Sequence, residues 1–264
     1  MPPGSQLARR AVKAAALPGG IVSRRRAGDV VILLYHRVGG CGGEIDLPAG
    51  LFDEQLALLA ERERVLTLDQ ALVGDGPGGV VVTVDDGYRD FHDTVLPLLE
   101  RYRIPTVLYL ATGLVGGQRP GADDREALTW SQLAEAVGTG LVTVGAHTHG
   151  HTDLSHASEQ VCQDEMARSK GLVEDRLGVA CRHFAYPWAV GSETADRVAR
   201  RLFDSAALDA WRTNRADAVD PWRLGRVPVL RSDGLRFFRA KVQGRLDGEA
   251  LAYRLLGRGP WRKP

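Results

Sequence analysis

Short apolar runs rich in β-branched residues alternate along the chain with segments whose apolar residues recur at helical spacing. Near-continuous apolar runs are typical of strands covered on both faces, as in parallel sheets. The stronger runs are Val30–Tyr35, Val80–Val84, Pro105–Thr112, Leu141–Ala146 and Cys181–Tyr186, and the weaker ones are Phe203–Leu208 and Arg226–Leu230. Strand alternating with helix about seven times predicts an α/β fold built on a parallel sheet or barrel.

The segments between these runs carry apolar stripes that predict helices. The stripes are Phe52-Leu56-Leu59-Ala60, Val95-Leu98-Leu99-Tyr102 and Cys162-Met166-Ser169-Val173-Leu177. Thr129 and Gln132 predict a capping box at the start of another helix. Leu235–Leu246 predicts a late helix that begins behind Ser232 and Asp233.

Composition and charge place the chain among ordinary globular proteins. Its 264 residues are 44% hydrophobic and 25% charged, and the net charge of +1 argues against nucleic acid as a dominant partner. No stretch reaches the length of a transmembrane helix. The three cysteines are widely spaced and odd in number, which predicts unpaired thiols in a reducing compartment.

The two ends of the chain are basic, and we expect them to flank one catalytic domain. We predict an N-terminal flexible segment over 1–28, the domain over 29–247 and a basic tail over 248–264. Lys13 and the Pro18-Gly19-Gly20 run interrupt the early apolar stretch, whereas a secretory signal needs a continuous one. This predicts a cytoplasmic protein, with peripheral contact to an anionic membrane surface as the alternative for the N-terminal segment.

Polar residues follow the apolar runs where parallel folds bind their ligands. Asp85 and Asp86 end one run, and two adjacent carboxylates repel each other unless a cation holds them. A plain Asp-Gly turn is the alternative for this pair. His147, His149 and His151 follow a later run, and one carboxylate with two imidazoles would leave coordination positions open, as a catalytic metal requires.

Three motifs together resemble the polysaccharide deacetylase family, which is the NodB-homology group or carbohydrate esterase family 4. They are "TVDDGYRD", "HTHGH" and "FAYPW", in that order. The segments "LLYHRV" and "FDEQLALL" resemble the poly-N-acetylglucosamine deacetylase branch. The resemblance runs from about Val30 to about Leu230 and implies a distorted barrel of the (β/α)7 type.

The resemblance also implies roles for individual residues. Asp85 would be the general base, and Asp86, His147 and His151 would bind a divalent metal, with His149 left out of the ligand set. The metal would be Zn²⁺, with Co²⁺, Ni²⁺ or Mn²⁺ as alternatives. Tyr186, Pro187 and Trp188 would contact substrate, and the backbone near Trp188 would supply an N–H to the oxyanion. Thr83 corresponds to the leading threonine of the first motif.

The chain departs from the family pattern at two positions, and each departure suggests a role for another residue. Many members carry a late histidine that protonates the leaving amine, but this chain has no histidine after His183. His36 is our candidate donor, with a structural role as the alternative. Many members also carry an arginine where this chain has Ala185, and we expect Arg226 to replace it as the partner of Asp85. His183 and Trp130 are predicted to be structural.

The predicted function is therefore metal-dependent removal of an N-acetyl group from an amino sugar or glycoconjugate. The first alternative is an amidase or O-acetyl esterase on the same fold. The second is a catalytically silent carbohydrate-binding homologue, which the intact acid and histidine set argues against. The loops over 113–129 and 191–222 would decide between the substrates.

Overall fold

The structure is a computed structural model that describes residues 25–39, 42–73, 76–117 and 126–245, together with Ala14 and Glu249. The predicted N-terminal segment and the predicted C-terminal tail lie almost wholly outside these residues. Cys41, part of the 113–129 loop and the end of the predicted late helix also lie outside them. The domain boundaries stay predictions.

A closed barrel of seven parallel strands forms the centre of the described chain. The strands are β1 Val30–Tyr35, β4 Gly79–Asp86, β5 Thr106–Leu110, β6 Val142–Ala146, β7 His183–Ala185, β8 Ser205–Asp209 and β9 Leu224–Pro228. They follow one another around the barrel in this order, and β9 pairs with β1 to close it. This confirms the predicted barrel.

Helices surround the barrel, and two short strands follow the carboxyl end of β1. The strands are β2 Arg37–Val38 and β3 Asp46–Leu47, which pair in parallel. The helices are α1 Ala49–Arg62, α2 Leu68–Leu72, a π-helix at Phe91–Val95, α3 Leu96–Tyr102, α4 Trp130–Gly138, α5 Glu159–Leu177, α6 Glu193–Leu202 and α7 Gly234–Val242. The predicted capping box of Thr129 and Gln132 is present at α4. None of the described helices is both long enough and apolar enough to span a bilayer.

Some elements differ from the pattern-based prediction, and for three of them the reason lies in the sequence. The last strand begins at Leu224 rather than at Arg226, because Gly225 and Arg226 break the apolar run at its start. Helix α6 was not predicted, because its buried face is made of Ala195, Val198 and Ala199 with Asp196 rather than large apolar residues. The five-residue α2 was also missed, since it is too short to show a stripe.

Side chains alternate along each strand between two apolar clusters. One cluster combines strand residues such as Val82 and Leu108 with helix residues such as Leu56 and Met166, so it lies between barrel and helices. The other fills the inside of the barrel. Its members include Ile32, Val81, Val107, Tyr109, Ala185, Ala207 and Leu224. Strand alternation also places Asp85, four positions after Val81, and Arg226, two positions after Leu224, on the side that faces the barrel interior.

Cys162 and Cys181 lie in the apolar cluster between the barrel and the helices, which we call the outer apolar layer. Both are free thiols, as we predicted from their spacing. Burial raises the pKa of Cys181 to about 12 and also raises the pKa of Cys162. Because the thiolate is the reactive form, we expect neither thiol of a Cys41→Ser variant to react with Ellman's reagent at pH 8 in the folded protein. Both should react in guanidinium. Rapid labelling of either thiol in the folded state would contradict this burial.

Candidate active site

Two buried carboxylates end strand β4 at the carboxyl end of the barrel. Asp85 and Asp86 are 2% and 7% exposed, so bulk water solvates neither carboxylate. Asp86 has a left-handed backbone with φ of 83°, and Gly87 follows with the same φ. This turn lets two consecutive side chains serve one site, which regular strand alternation would forbid.

Arg226 holds Asp85 from the last strand of the barrel. Its guanidinium donates to both carboxylate oxygens of Asp85, at 2.6 and 2.7 Å, and its own side chain is 1% exposed. Burial acts to raise the pKa of Asp85, but Arg226 and then His147 hold that pKa below its ordinary value. The pairing that we expected from the sequence is therefore present in the structure, and it keeps Asp85 ionised inside a protein interior.

Asp86, His147 and His151 converge beside this ion pair. The Nε2 atom of His151 lies 3.1 Å from Asp86 Oδ1, and that of His147 lies 3.6 Å from the same oxygen. One donor atom from each residue lies within 4.8 Å of the other two. The fold thus brings together, from β4 and from the loop after β6, the three residues that we predicted as metal ligands.

The chemistry of these donors fits a divalent cation. Burial lowers the pKa of His147 to about 4, so its imidazole is neutral at physiological pH. Its Nδ1 lies 2.8 Å from the carbonyl oxygen of Ala185, and donation there leaves the Nε2 lone pair facing Asp86. Arg226 balances one of the two buried carboxylates. A cation bound by Asp86 and the two imidazoles would balance the other.

Left-handed backbone conformations concentrate at this site. Of the seven described residues other than glycine with positive φ, five lie in its three segments. The five are Asp86, Thr148, His151, Trp188 and Ala189. Each such conformation costs of the order of 1–3 kcal/mol, and surrounding contacts must hold it. Strained positions of this kind cluster at functional sites, which supports the assignment of this end of the barrel.

The middle histidine of "HTHGH" is turned away from the ligand set. His149 Nδ1 lies 3.0 Å from the hydroxyl oxygen of Thr112, which follows β5. Its backbone N–H donates to the carbonyl of Glu165 on α5 at 3.1 Å. The geometry therefore agrees with leaving His149 out of the metal ligands, and it gives this residue contacts that hold the loop.

The "YPW" segment contributes to the site mainly through Trp188. Its side chain is 41% exposed, and its ring lies edge-on to that of His151 with centroids 5.0 Å apart. Pro187 is buried within the turn. Tyr186 needs a correction, because its side chain is fully buried and donates to Asp196 Oδ1 at 2.8 Å. A phenol with no exposed surface holds α6 and cannot contact substrate.

The remaining candidates separate into one site residue and three structural ones. His36 follows β1 near enough to Asp85 to contribute to lowering its pKa. Thr83 donates to the carbonyl of Leu33 at 2.8 Å and is buried. Trp130 packs against the outer apolar layer. His183 is buried, with Nδ1 2.9 Å from the Ser205 hydroxyl oxygen, as expected for a structural histidine.

Two residues with contacts to the site escaped the sequence analysis. Tyr109 is buried on β5, and the guanidinium carbon of Arg226 lies 5.3 Å from the centre of its ring. Glu165 on α5 accepts the backbone N–H of Gly150 at 2.7 Å. A tyrosine in an apolar strand and a glutamate in a charged helix carry no signal that would single them out.

Comparison with known proteins agrees with the motifs. The polysaccharide deacetylase family model matches residues 74–203, which include both carboxylates, His147 and His151. A Staphylococcus aureus poly-beta-1,6-N-acetyl-D-glucosamine N-deacetylase is 24% identical over 153 residues, covering 53% of this chain and 52% of that protein. The chain therefore spans about half the length of that relative.

Solved structures extend the similarity over most of the chain. IcaB from Ammonifex degensii is 28% identical with a TM-score of 0.71, covering 81% of this chain and 97% of the other. The Streptococcus pyogenes deacetylase PplD, solved with acetate, shares the fold at 23% identity and a TM-score of 0.72, covering 82% and 99%. With its barrel, its three motifs and this match, the chain contains a polysaccharide deacetylase domain, which the family model places over residues 74–203.

Proposed function

We propose that this chain is a metal-dependent hydrolase that removes the acetyl group from N-acetylated amino sugars. The observation that carries the proposal is the pairing of two features at the carboxyl end of one barrel. A buried carboxylate held by Arg226 lies beside a second carboxylate that faces two histidines. Such an arrangement would supply a general base directly beside a cation site.

Asp86, His147 and His151 would hold the cation, for which Zn²⁺ is our first choice and Co²⁺, Ni²⁺ and Mn²⁺ are alternatives. A bound divalent ion supplies Lewis acidity, which lowers the pKa of water and polarises an acyl carbonyl. Three protein ligands match catalytic rather than structural sites, because structural zinc sites use four.

Asp85 would take the proton from the attacking water. Its carboxylate is ionised, and Arg226 holds both of its oxygens, so the carboxylate cannot rotate away from the reacting atoms. The backbone N–H near Trp188 would donate to the oxyanion that forms on the acyl carbon. His36 would then protonate the departing amine. Trp188, which is half-exposed beside His151, would pack against the sugar.

The similarity to a poly-beta-1,6-N-acetyl-D-glucosamine N-deacetylase supports an N-acetylglucosamine glycan as the substrate class. A glycan precursor or a small glycoconjugate would present the same acetamide group to the site. The predicted cytoplasmic location and the peripheral membrane contact of the N-terminal segment stay predictions.

Acetate release from a panel of N-acetylglucosamine compounds tests the proposal. The panel holds the monosaccharide, a β-1,6-linked oligomer, a lipid-linked form and a nucleotide-linked form. We expect wild-type protein with Zn²⁺ or Co²⁺ to release acetate from at least one of them, and Asp86→Ala to release none. Metal binding without release from any sugar would overturn the sugar substrate. Release from O-acetyl esters alone would then favour the esterase alternative.

The role of His36 as proton donor predicts a selective loss of activity. We expect His36→Gln to lower kcat on an N-acetyl sugar by about 100-fold, since general acid catalysis contributes at least that factor. Hydrolysis of an aryl acetate should be almost unchanged, because a phenolate leaves without being protonated. Both rates are measured in the same assay with the same metal.

His156→Gln is the matched control, because His156 is exposed and lies outside the site. We expect this variant to hydrolyse both substrates at the wild-type rate. If His36→Gln slows the sugar and the aryl ester equally, the donor role is wrong and His36 is a structural residue.

A further inference from the structure

The loop that carries the two histidine ligands has an unusual backbone. Thr148 and His151 both adopt left-handed conformations, with φ of 60° and 56°. Because Thr148 is β-branched and residues of that type rarely adopt this region, contacts from outside must keep the loop in place. The direction of the His151 imidazole depends on these contacts, since it follows from the backbone at residue 151.

The segment that follows strand β5 holds one side of the loop. The backbone N–H of Gly113 donates to the carbonyl of His149 at 2.7 Å, and that of Thr112 donates to the carbonyl of Thr148 at 3.4 Å. These bonds fix residues 148 and 149. They do not reach Gly150, which is the residue directly before His151.

Glu165 on α5 holds the other side. Its Oε2 accepts the N–H of Gly150 at 2.7 Å, and its backbone carbonyl accepts that of His149 at 3.1 Å. A Cβ atom at residue 150 would lie 3.3 Å from Glu165 Oε1, so the carboxylate is packed closely against this glycine. A charged acceptor makes the bond to Gly150 stronger than a bond between neutral groups.

We propose that Glu165 is a positioning residue for the metal site. By accepting the Gly150 N–H, its carboxylate holds the left-handed turn that directs His151 Nε2 toward Asp86. The inference rests on the proposed metal set, but its consequence is a change in metal affinity and geometry rather than in substrate chemistry. Outer residues that orient metal ligands typically change metal affinity by about 10- to 100-fold.

Co²⁺ binding by the full chain tests this role. The dissociation constant is measured by competition with a chelator, and the visible spectrum of the Co²⁺ protein reports the coordination geometry. We expect Glu165→Ala to weaken Co²⁺ binding about 10- to 100-fold and to change the spectrum. Glu165→Gln, which keeps an acceptor oxygen, should restore most of the affinity and the wild-type spectrum.

Asp164→Ala is the matched control, because Asp164 is exposed on the same helix and accepts from Gln160. It should bind Co²⁺ as wild type does. Thermal unfolding of each metal-free variant separates loss of fold from loss of the site. If Glu165→Ala does not fold, Glu165→Asp replaces it, and the shorter side chain should weaken binding in the same way.

Wild-type affinity and spectrum in Glu165→Ala, or in Glu165→Asp where it replaces Glu165→Ala, would overturn the proposal. Co²⁺ binding by Glu165→Gln as weak as that by Glu165→Ala would also overturn it. These outcomes leave the proposed function standing, because wild-type protein still binds the metal. Failure of the wild-type protein to bind Co²⁺ would overturn both.

Discussion

Replacing Asp85 with asparagine is expected to lower kcat for acetate release by about 10²- to 10⁴-fold, the range that a positioned general base contributes. Asparagine has nearly the shape of aspartate but cannot take a proton at neutral pH. Because Asp85 lies outside the ligand set, Zn²⁺ binding should persist. Steady-state kinetics at saturating metal, with a parallel Zn²⁺ titration, checks both expectations.

Asp86→Asn is the matched comparison, since it makes the same chemical change at the next residue. It should lose metal affinity and activity together, whereas Asp85→Asn should lose activity alone. If Asp85→Asn turns over at the wild-type rate, or if the two variants lose metal equally, the division of roles between the two carboxylates is wrong.

Replacing Arg226 with methionine is expected to lower the free energy of unfolding of the metal-free protein by about 3–5 kcal/mol, because it leaves Asp85 buried without its counter-charge. Turnover should fall too, since the carboxylate loses the group that holds both of its oxygens. Removing the guanidinium also raises the pKa of Asp85, so the acid limb of the pH–rate profile should move to higher pH. Chemical denaturation and a pH–rate profile provide the measurements.

Arg201→Met is the control for the effect of burial. Arg201 also donates to a carboxylate, that of Glu159 at 2.8 Å, but the two side chains are 52% and 50% exposed. Exposed pairs contribute about 0–1 kcal/mol, so this variant should be only slightly destabilised and fully active. Equal destabilisation by the two substitutions would contradict the account of Arg226 as a buried counter-charge.

The barrel could be predicted from the chain because its strands are long apolar runs that alternate with amphipathic helices. Val30–Tyr35 matches its strand at both ends. The pattern did not predict the start of the last strand, because Gly225 and Arg226 interrupt the apolar run there. The cluster of Asp86 with His147 and His151 was predictable because parallel strands place their carboxyl ends together. Asp86 ends one strand, and the two histidines lie in the segment after another.

Side-chain direction was harder to predict. Tyr186 lies in a motif that suggested substrate contact, yet its hydroxyl reaches Asp196 on α6. Strand alternation was no guide there, since the chain leaves β7 at Ala185 and turns at Trp188. The left-handed φ at Thr148 also has no sequence signature, because β-branched residues rarely adopt that conformation. The role of Glu165 depends on that backbone and therefore could not be foreseen.

The central claim is that one divalent ion held by Asp86, His147 and His151 is required for deacetylation. Protein stripped of metal is titrated with Zn²⁺ while acetate release from the best N-acetylated sugar is followed. We predict a rate that rises linearly and levels off at about one ion per chain, no such rise for Asp86→Ala, and a wild-type break point for His149→Gln. Full activity in stripped protein, or a normal titration of Asp86→Ala, would contradict the account.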